Sequence, residues 1–114
     1  MAKVKTYNDG VAIICRPKEK ERDFRAKVNP TSIKDLEIKG KLMFSILSAR
    51  IEDMEYAERI GKKLTLKIKT PNHPWLKKQD NLLIEDVLYD IYHIDMSKDK
   101  TELYLYCEEV RKIA

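Results

Sequence analysis

The chain has 114 residues, 37% of them charged, yet 23 Lys and Arg against 19 Asp and Glu leave a formal net charge of only +4. That length fits one domain, 1–114, with a real core and is too short for two, while interspersed charge gives a solvated surface with a much weaker field than a basic block. No apolar run approaches the roughly 18 residues of a membrane span, and the N-terminus shows neither an apolar core nor a small-residue cleavage site, so the expectation is a protein that stays in the cytoplasm where it is made.

Tyr7-Asn-Asp-Gly10 favours a turn, and Val11 to Arg16 then reads as a short strand stopped by Pro17. In 17–30 nearly every second residue is charged, and Phe24 and Val28 are the only large apolar side chains, so this stretch is expected to be a solvated loop or a frayed hairpin. Leu36 and Ile38, then Leu42, Phe44 and Ile46 beyond Gly40, alternate with other residues, and a strand bent or bulged at the glycine accommodates both halves. The period then changes. Ile51, Met54 and Ala57 are spaced for one face of a helix, Glu52, Asp53 and Glu55 crowd its opening turns, and Arg59 and Lys62 close it around Gly61. Carboxylates at the positive end, cations at the negative end and a glycine for the left-handed cap suit a helix of two to three turns.

Lys63 to Thr70 is the cleanest half-buried strand pattern, with Leu64, Leu66 and Ile68 predicted inward and Thr65, Lys67 and Lys69 outward. Pro71 and Pro74 bracket the loop that ends it. Leu82 to Ile84, Val87 to Asp95 and Thr101 to Val110 complete the strands, with Glu85-Asp86 as a tight turn and Ser97 to Lys100 as the last connection. The alternation slips once, between Ile91 and Ile94. Short strands at this spacing with one interrupting helix predict a mainly β fold, a small antiparallel β-barrel or sandwich with one short α-helix inserted between strands.

Catalytic patterns are absent from this sequence. Cys15, His73, His93 and Cys107 are scattered singly, with no C-x-x-C or H-x-x-x-H pair to preorganise a metal site; the cysteines read as buried thiols. Ser45 and Ser48 lie outside any G-x-S-x-G turn, Glu52-Asp53 and Glu108-Glu109 suit a helix start and a strand end, and three unclustered glycines give no phosphate loop. The expectation is therefore no enzyme activity, no catalytic residue, no metal and no cofactor. Nucleic acid is the alternative class: Lys62, Lys63, Lys67 and Lys69 line one face, and Tyr92, Tyr104 and Tyr106 supply aromatics for a neighbouring one. Lysines on an exposed strand also protect it from edge-to-edge pairing.

The order of segments carries a resemblance. A Tyr7-Asn-Asp-Gly strand start is followed by Leu42-Met-Phe-Ser-Ile, Ile51-Glu-Asp-Met-Glu-Tyr-Ala-Glu-Arg, a strand ending in Thr70-Pro71, then Val87-Leu-Tyr-Asp-Ile-Tyr-His-Ile-Asp and Glu102-Leu-Tyr-Leu-Tyr-Cys-Glu-Glu-Val. Over nearly its whole length the chain resembles the head closure, or head–tail joining, proteins of tailed bacteriophages and prophages. The resemblance implies a small β-barrel, monomeric in solution, that assembles as a ring beneath the portal and adaptor in the host cytoplasm and enters the virion. There it closes the channel on packaged DNA, without sequence specificity, and docks the tail; a tail-completion or minor virion protein is a neighbouring alternative. By order along the chain, the channel- or partner-contacting excursion corresponds to 50–62, with Arg50, Glu52, Glu55, Tyr56, Arg59 and Lys62 as contacts. The charged stretch 17–30 departs from the family pattern and offers a second contact loop through Lys20, Arg22, Phe24 and Arg25. Lys67 and Lys69 are the expected DNA-proximal cations, and no membrane is involved.

Overall fold

A computed structural model describes residues 7–17, 34 and 36–113. Among these, six strands and one helix follow in the order β1 (Gly10–Pro17), β2 (Leu36–Ile46), α1 (Ile51–Arg59), β3 (Leu66–Pro71), β4 (Asn81–Ile84), β5 (Val87–Met96) and β6 (Glu102–Lys112). All pairings are antiparallel. The spatial order is β1-β2-β3-β6-β5-β4, and β1 pairs back onto β4 through Ile13 with Leu83 and Cys15 with Asn81, so the sheet closes into a ring. Of the two architectures the sequence allows, the barrel is the one formed. Among the described residues no helix is long and apolar enough to cross a membrane.

Alternation fills the ring. Ala12 and Ile14 of β1, Leu42 and Phe44 of β2, Ile68 of β3, Leu82 of β4, Ile91 of β5 and Leu103, Leu105 and Cys107 of β6 form the inner cluster. Leu76, from the loop after β3, is buried with them. At roughly 1.5–3 kcal/mol for each large apolar side chain buried, this cluster is the main source of stability. A second buried cluster, Cys15, Leu36, Leu83, Leu88 and Ile113, lies on the outside of the sheet, since Leu82 and Leu83 are strand neighbours and point to opposite faces. The two cysteines thus sit in different clusters as free thiols.

Bulges reset the phase of three strands. On β2 the register passes from Gly40 opposite Ile14 to Ile38 opposite Cys15, which leaves Lys39 unpaired. The irregularity is therefore at Lys39, one residue before the glycine predicted to carry it, and it has a consequence for facing. Leu36 and Ile38 share sequence parity with Leu42 and Phe44 but lie on the opposite face, with Leu36 in the outer cluster and Ile38 exposed. Gly40 lies close under the loop after β3, where a Cβ would stand 3.1 Å from the Trp75 ring and oblige it to shift by a few tenths of an ångström. On β5 Tyr92 is the extra residue between Ile91 and His93, where the sequence alternation slips, and on β6 Val110 is extra.

Turn chemistry follows the sequence closely. Ile84 pairs with Val87 across the two-residue turn Glu85-Asp86, Glu85 taking a φ of 56°, and Lys100 takes a φ of 61° in the last connection. The longer loop between β3 and β4 is pinned by Asp80. This carboxylate, buried with no side-chain exposure, accepts from Arg16 Nε at 2.6 Å, from Lys39 Nζ at 2.9 Å and from the Lys77 backbone N–H at 2.9 Å. Burial alone would raise its pKa, but these donors and the Lys39 charge outweigh it and hold the carboxyl below its ordinary range.

Candidate functional site

Among the described residues the helix between β2 and β3 is the one element that lies outside the ring of strands, and its ends are fixed locally. At the start, Asp53 Oδ2 accepts from the Arg50 backbone N–H at 2.9 Å, half of a capping box. At the end, Lys62 N–H donates to Ala57 O at 2.8 Å and Gly61 N–H to Glu58 O at 3.1 Å, with Gly61 at a φ of 70°. Those two bonds and the left-handed glycine form a Schellman motif, as the Gly61 signal predicts.

The seat of the helix is the outer face of β3, β6 and β5. Lys67 stands opposite Tyr106 and Lys69 opposite Tyr104 on the paired strands β3 and β6, and Tyr106 in turn opposes His93 on β5. Ala57 packs against Tyr92 and Tyr106, with Leu64 and Tyr104 at the edge of the same cluster. Beside it Lys67 Nζ donates to Asp53 Oδ2 at 2.8 Å, both side chains only 8% exposed, and lies 5.1 Å from the Tyr106 ring centre. Burial pushes the Asp53 pKa upward, and the hydrogen bonds from Lys67 and the Arg50 backbone, together with both cationic charges, more than reverse it, so the carboxyl titrates below its ordinary range.

An aromatic stack completes the seat. His93 lies between Tyr56, at 5.4 Å between ring centres, and Tyr106, at 5.2 Å, and its Nε2 stands 3.0 Å from Asp95 Oδ1. Tyr106 donates to Asp95 Oδ2 at 3.2 Å. Burial first, then the neighbouring carboxylates, push the Tyr106 hydroxyl up to about 12, so it remains a donor at any physiological pH.

What the helix leaves outside is the informative part. Its spacing predicts Ile51, Met54 and Ala57 as the packed face, but only Ala57 packs, joined by Asp53; Ile51 is 73% and Met54 52% exposed. The Tyr92–Tyr106 surface takes a small side chain, and the Asp53–Lys67 bond sets the rotation, which turns the larger apolar residues outward. Of the residues expected as contacts, Arg50, Glu52, Glu55, Arg59 and Lys62 are exposed, and Tyr56 is partly committed to His93. An open groove of about 690 Å³ runs beside the helix end, lined by Tyr56, Ile60 and Lys62, by Lys78 and Gln79, and by Asp90 and Tyr92.

Two predicted placements are corrected here. Lys67 points out of the barrel, as its parity requires, but it is covered by α1 and neutralised by Asp53, so it is not a solvent-facing cation beside DNA. Leu64 does not face the barrel interior; β3 begins at Leu66, and Leu64 packs beneath the helix instead. Lys69 is half-buried, and Lys20, Arg22, Phe24 and Arg25 fall outside the described residues. The roles of Asp80, His93 and Asp95 were not visible in the sequence, because each depends on partners that only the barrel pairing brings together. Among the described residues no three His, Cys, Asp or Glu side chains are grouped to hold a metal ion. No protein-family model matches the chain, and no curated protein matches it.

Proposed function

We propose that the chain is a structural component of the head–tail connector of a tailed phage or prophage, which closes the portal channel after DNA packaging and offers a docking surface for the tail. The observation that carries this reading is the helix inserted between β2 and β3, docked by Asp53 and Ala57 with Ile51 and Met54 turned to solvent. A helix with that orientation on a rigid barrel is suited to contact rather than to core formation. The place of the helix in the chain is the one the sequence resemblance expects for the contacting excursion, with Arg50, Glu52, Glu55 and Arg59 exposed around the apolar pair.

In this role the protein needs no catalytic group. It would be made in the host cytoplasm, join portal and adaptor rings as a ring of copies, and remain in the virion; exposed Lys62 and Lys63 suit proximity to DNA without base readout. The nucleic-acid-barrel reading is weakened, since Lys67, the centre of its cationic stripe, is consumed by Asp53.

The test is reconstitution with DNA-filled heads that carry portal and adaptor but lack this protein. Addition of the purified chain should retain the DNA, and Ile51→Glu with Met54→Glu, which leaves the docked side of α1 intact, should bind poorly and let DNA escape. Lack of binding by the unmodified chain to such heads, or to isolated portal–adaptor rings, refutes the proposal.

A further inference from the structure

Strand β5 outruns its partner on one side. β4 accompanies it over 87–90, whereas β6 follows it over 87–96. The cause lies just before β4, where Asp80 N–H donates to Lys77 O at 2.9 Å and the Asp80 carboxylate is anchored by Arg16 and Lys39, so the chain joins the sheet only at Asn81. Among the described residues no strand follows the line that a longer β4 would take beside 91–96.

The ladder fixes which backbone groups face that gap. Ser97 N–H donates to Glu102 O at 3.0 Å, and the same register continues through Asp95 opposite Tyr104 and His93 opposite Tyr106. These residues bond to β6, so the intervening Ile94 and Met96 turn their N–H and C=O to the other edge. Neither finds a backbone partner there among the described residues, and Met96 is 52% exposed. The groove of about 690 Å³ lies where β4 leaves off, since Asp80, Asp90 and Ile91 all line it. Tyr92, the bulge residue, lines it too and keeps a buried hydroxyl without a hydrogen-bond partner among the described residues. The charges of the groove are mixed: Asp80 is neutralised, Asp90 accepts from Asn81 Nδ2, and Lys62 and Lys78 are exposed.

We infer that 91–96 of β5 is a docking edge for an extended peptide segment of a partner protein, which adds as a strand in line with β4 and antiparallel to β5. Unpaired strand edges are templates for such addition, and a row of backbone donors and acceptors selects a main chain rather than a small ligand. Bonds to Ile94 and Met96 supply affinity, and alternate side chains of the added strand lie in the groove against Tyr56 and Ile60. With charges mixed, ionic contacts contribute little to the choice. A second copy offers no such segment among the described residues, because each of its six strands is already in the ring. The edge uses neither Ile51 nor Met54, so the inference stands without the connector reading.

The test uses the full chain, a short capped peptide of alternating valine and threonine, and amide hydrogen exchange followed by NMR. In the peptide-free chain the His93 and Asp95 amides should exchange slowly and those of Ile94 and Met96 fast; saturating peptide should slow the latter pair severalfold. The same peptide with alternate amides N-methylated, in either register, loses donors from its bonding edge and should neither bind as well nor protect. Met96→Pro should also abolish binding while the barrel stays folded, since the N–H it removes is one that β6 does not use. No binding at about 1 mM peptide, equal binding of both methylated peptides, or slow exchange of Ile94 and Met96 in the peptide-free chain, which shows the edge already covered by the chain's own residues, overturns the inference.

Discussion

Lys67→Met is the substitution that interrogates the helix seat most directly. Methionine keeps most of the length and apolar surface of the lysine stem against Tyr106, so the change chiefly removes the charge and leaves Asp53 covered without its 2.8 Å partner. Breaking a buried pair from one side costs about 3–5 kcal/mol. Asp53 keeps the Arg50 backbone N–H at 2.9 Å and the Arg50 guanidinium at 3.6 Å, which argues for the lower end, about 3 kcal/mol. With urea m-values of about 1–3 kcal/mol/M, the unfolding midpoint should fall by about 1–3 M. Asp53→Leu combined with Lys67→Met should recover most of that loss, because an apolar pair removes both desolvation costs. The pH dependence has a definite sign. In the native protein the Asp53 pKa is depressed, so its contribution is present above the unfolded carboxylate pKa of about 3.9 and is lost as pH falls through the folded value. The gap between Lys67→Met and the unmodified chain should therefore narrow in acid, where protonation removes the stranded charge. A loss below about 0.5 kcal/mol at neutral pH, the range of an exposed pair, would refute the argument that this ion pair holds the helix.

Three further outcomes follow from the same geometry. Asp80→Asn should destabilise the chain by about 2–4 kcal/mol in urea unfolding, since Arg16 and Lys39 lose a buried carboxylate, and it should alter Trp75 fluorescence, because Lys39 Nζ also reaches the Trp75 carbonyl at 3.3 Å. Gly61→Ala should cost about 1 kcal/mol in the same assay: nothing obstructs a Cβ there, but the φ of 70° is left-handed. Both native thiols should resist a disulfide reagent at pH 8 and react only on unfolding, as burial first and then the Asp80 charge push Cys15 up to about 11, and burial raises Cys107 as well.

Local signals specify local structure well. Glu85-Asp86, Gly61, the slip between Ile91 and Ile94 and the strand alternations each depend on near neighbours, and each corresponds to a feature of the fold. Facing was less legible where it hung on a bulge. A single unpaired residue, Lys39, transfers Leu36 and Ile38 to the outer face, and nothing in the alternation distinguishes a bulge at Lys39 from a bend at Gly40. The surroundings of Lys67 depend on packing in a related way. Strand parity states correctly that it points out of the barrel, but only the packing of α1 decides whether outward means solvent. The seat itself was invisible, because Tyr56, His93, Asp95 and Tyr106 come from three separate elements.

The helix shows why a correctly identified apolar stripe need not be the packed side. Ile51 and Met54 have the spacing of a core face, and burying both fully would contribute roughly 3–6 kcal/mol. The barrel surface beneath α1 cannot accept them. Tyr92 and Tyr106 fill it to the level of an alanine methyl, and Lys67, fixed on β3 opposite Tyr106, requires a carboxylate within reach, which only the Asp53 side of the helix provides. The short connections from Ile46 to Ile51 and from Arg59 to Leu66 then leave little freedom to rotate the helix further. The folded chain consequently leaves much of that apolar stabilisation unrealised on a surface held rigid by an ion pair, a Schellman cap and an aromatic stack. A partner that covers Ile51 and Met54 gains it without the entropic cost of ordering a loop. The proposed role of α1 toward a connector draws on this unsatisfied surface, so substitutions at Ile51 and Met54 should weaken association without loosening the fold.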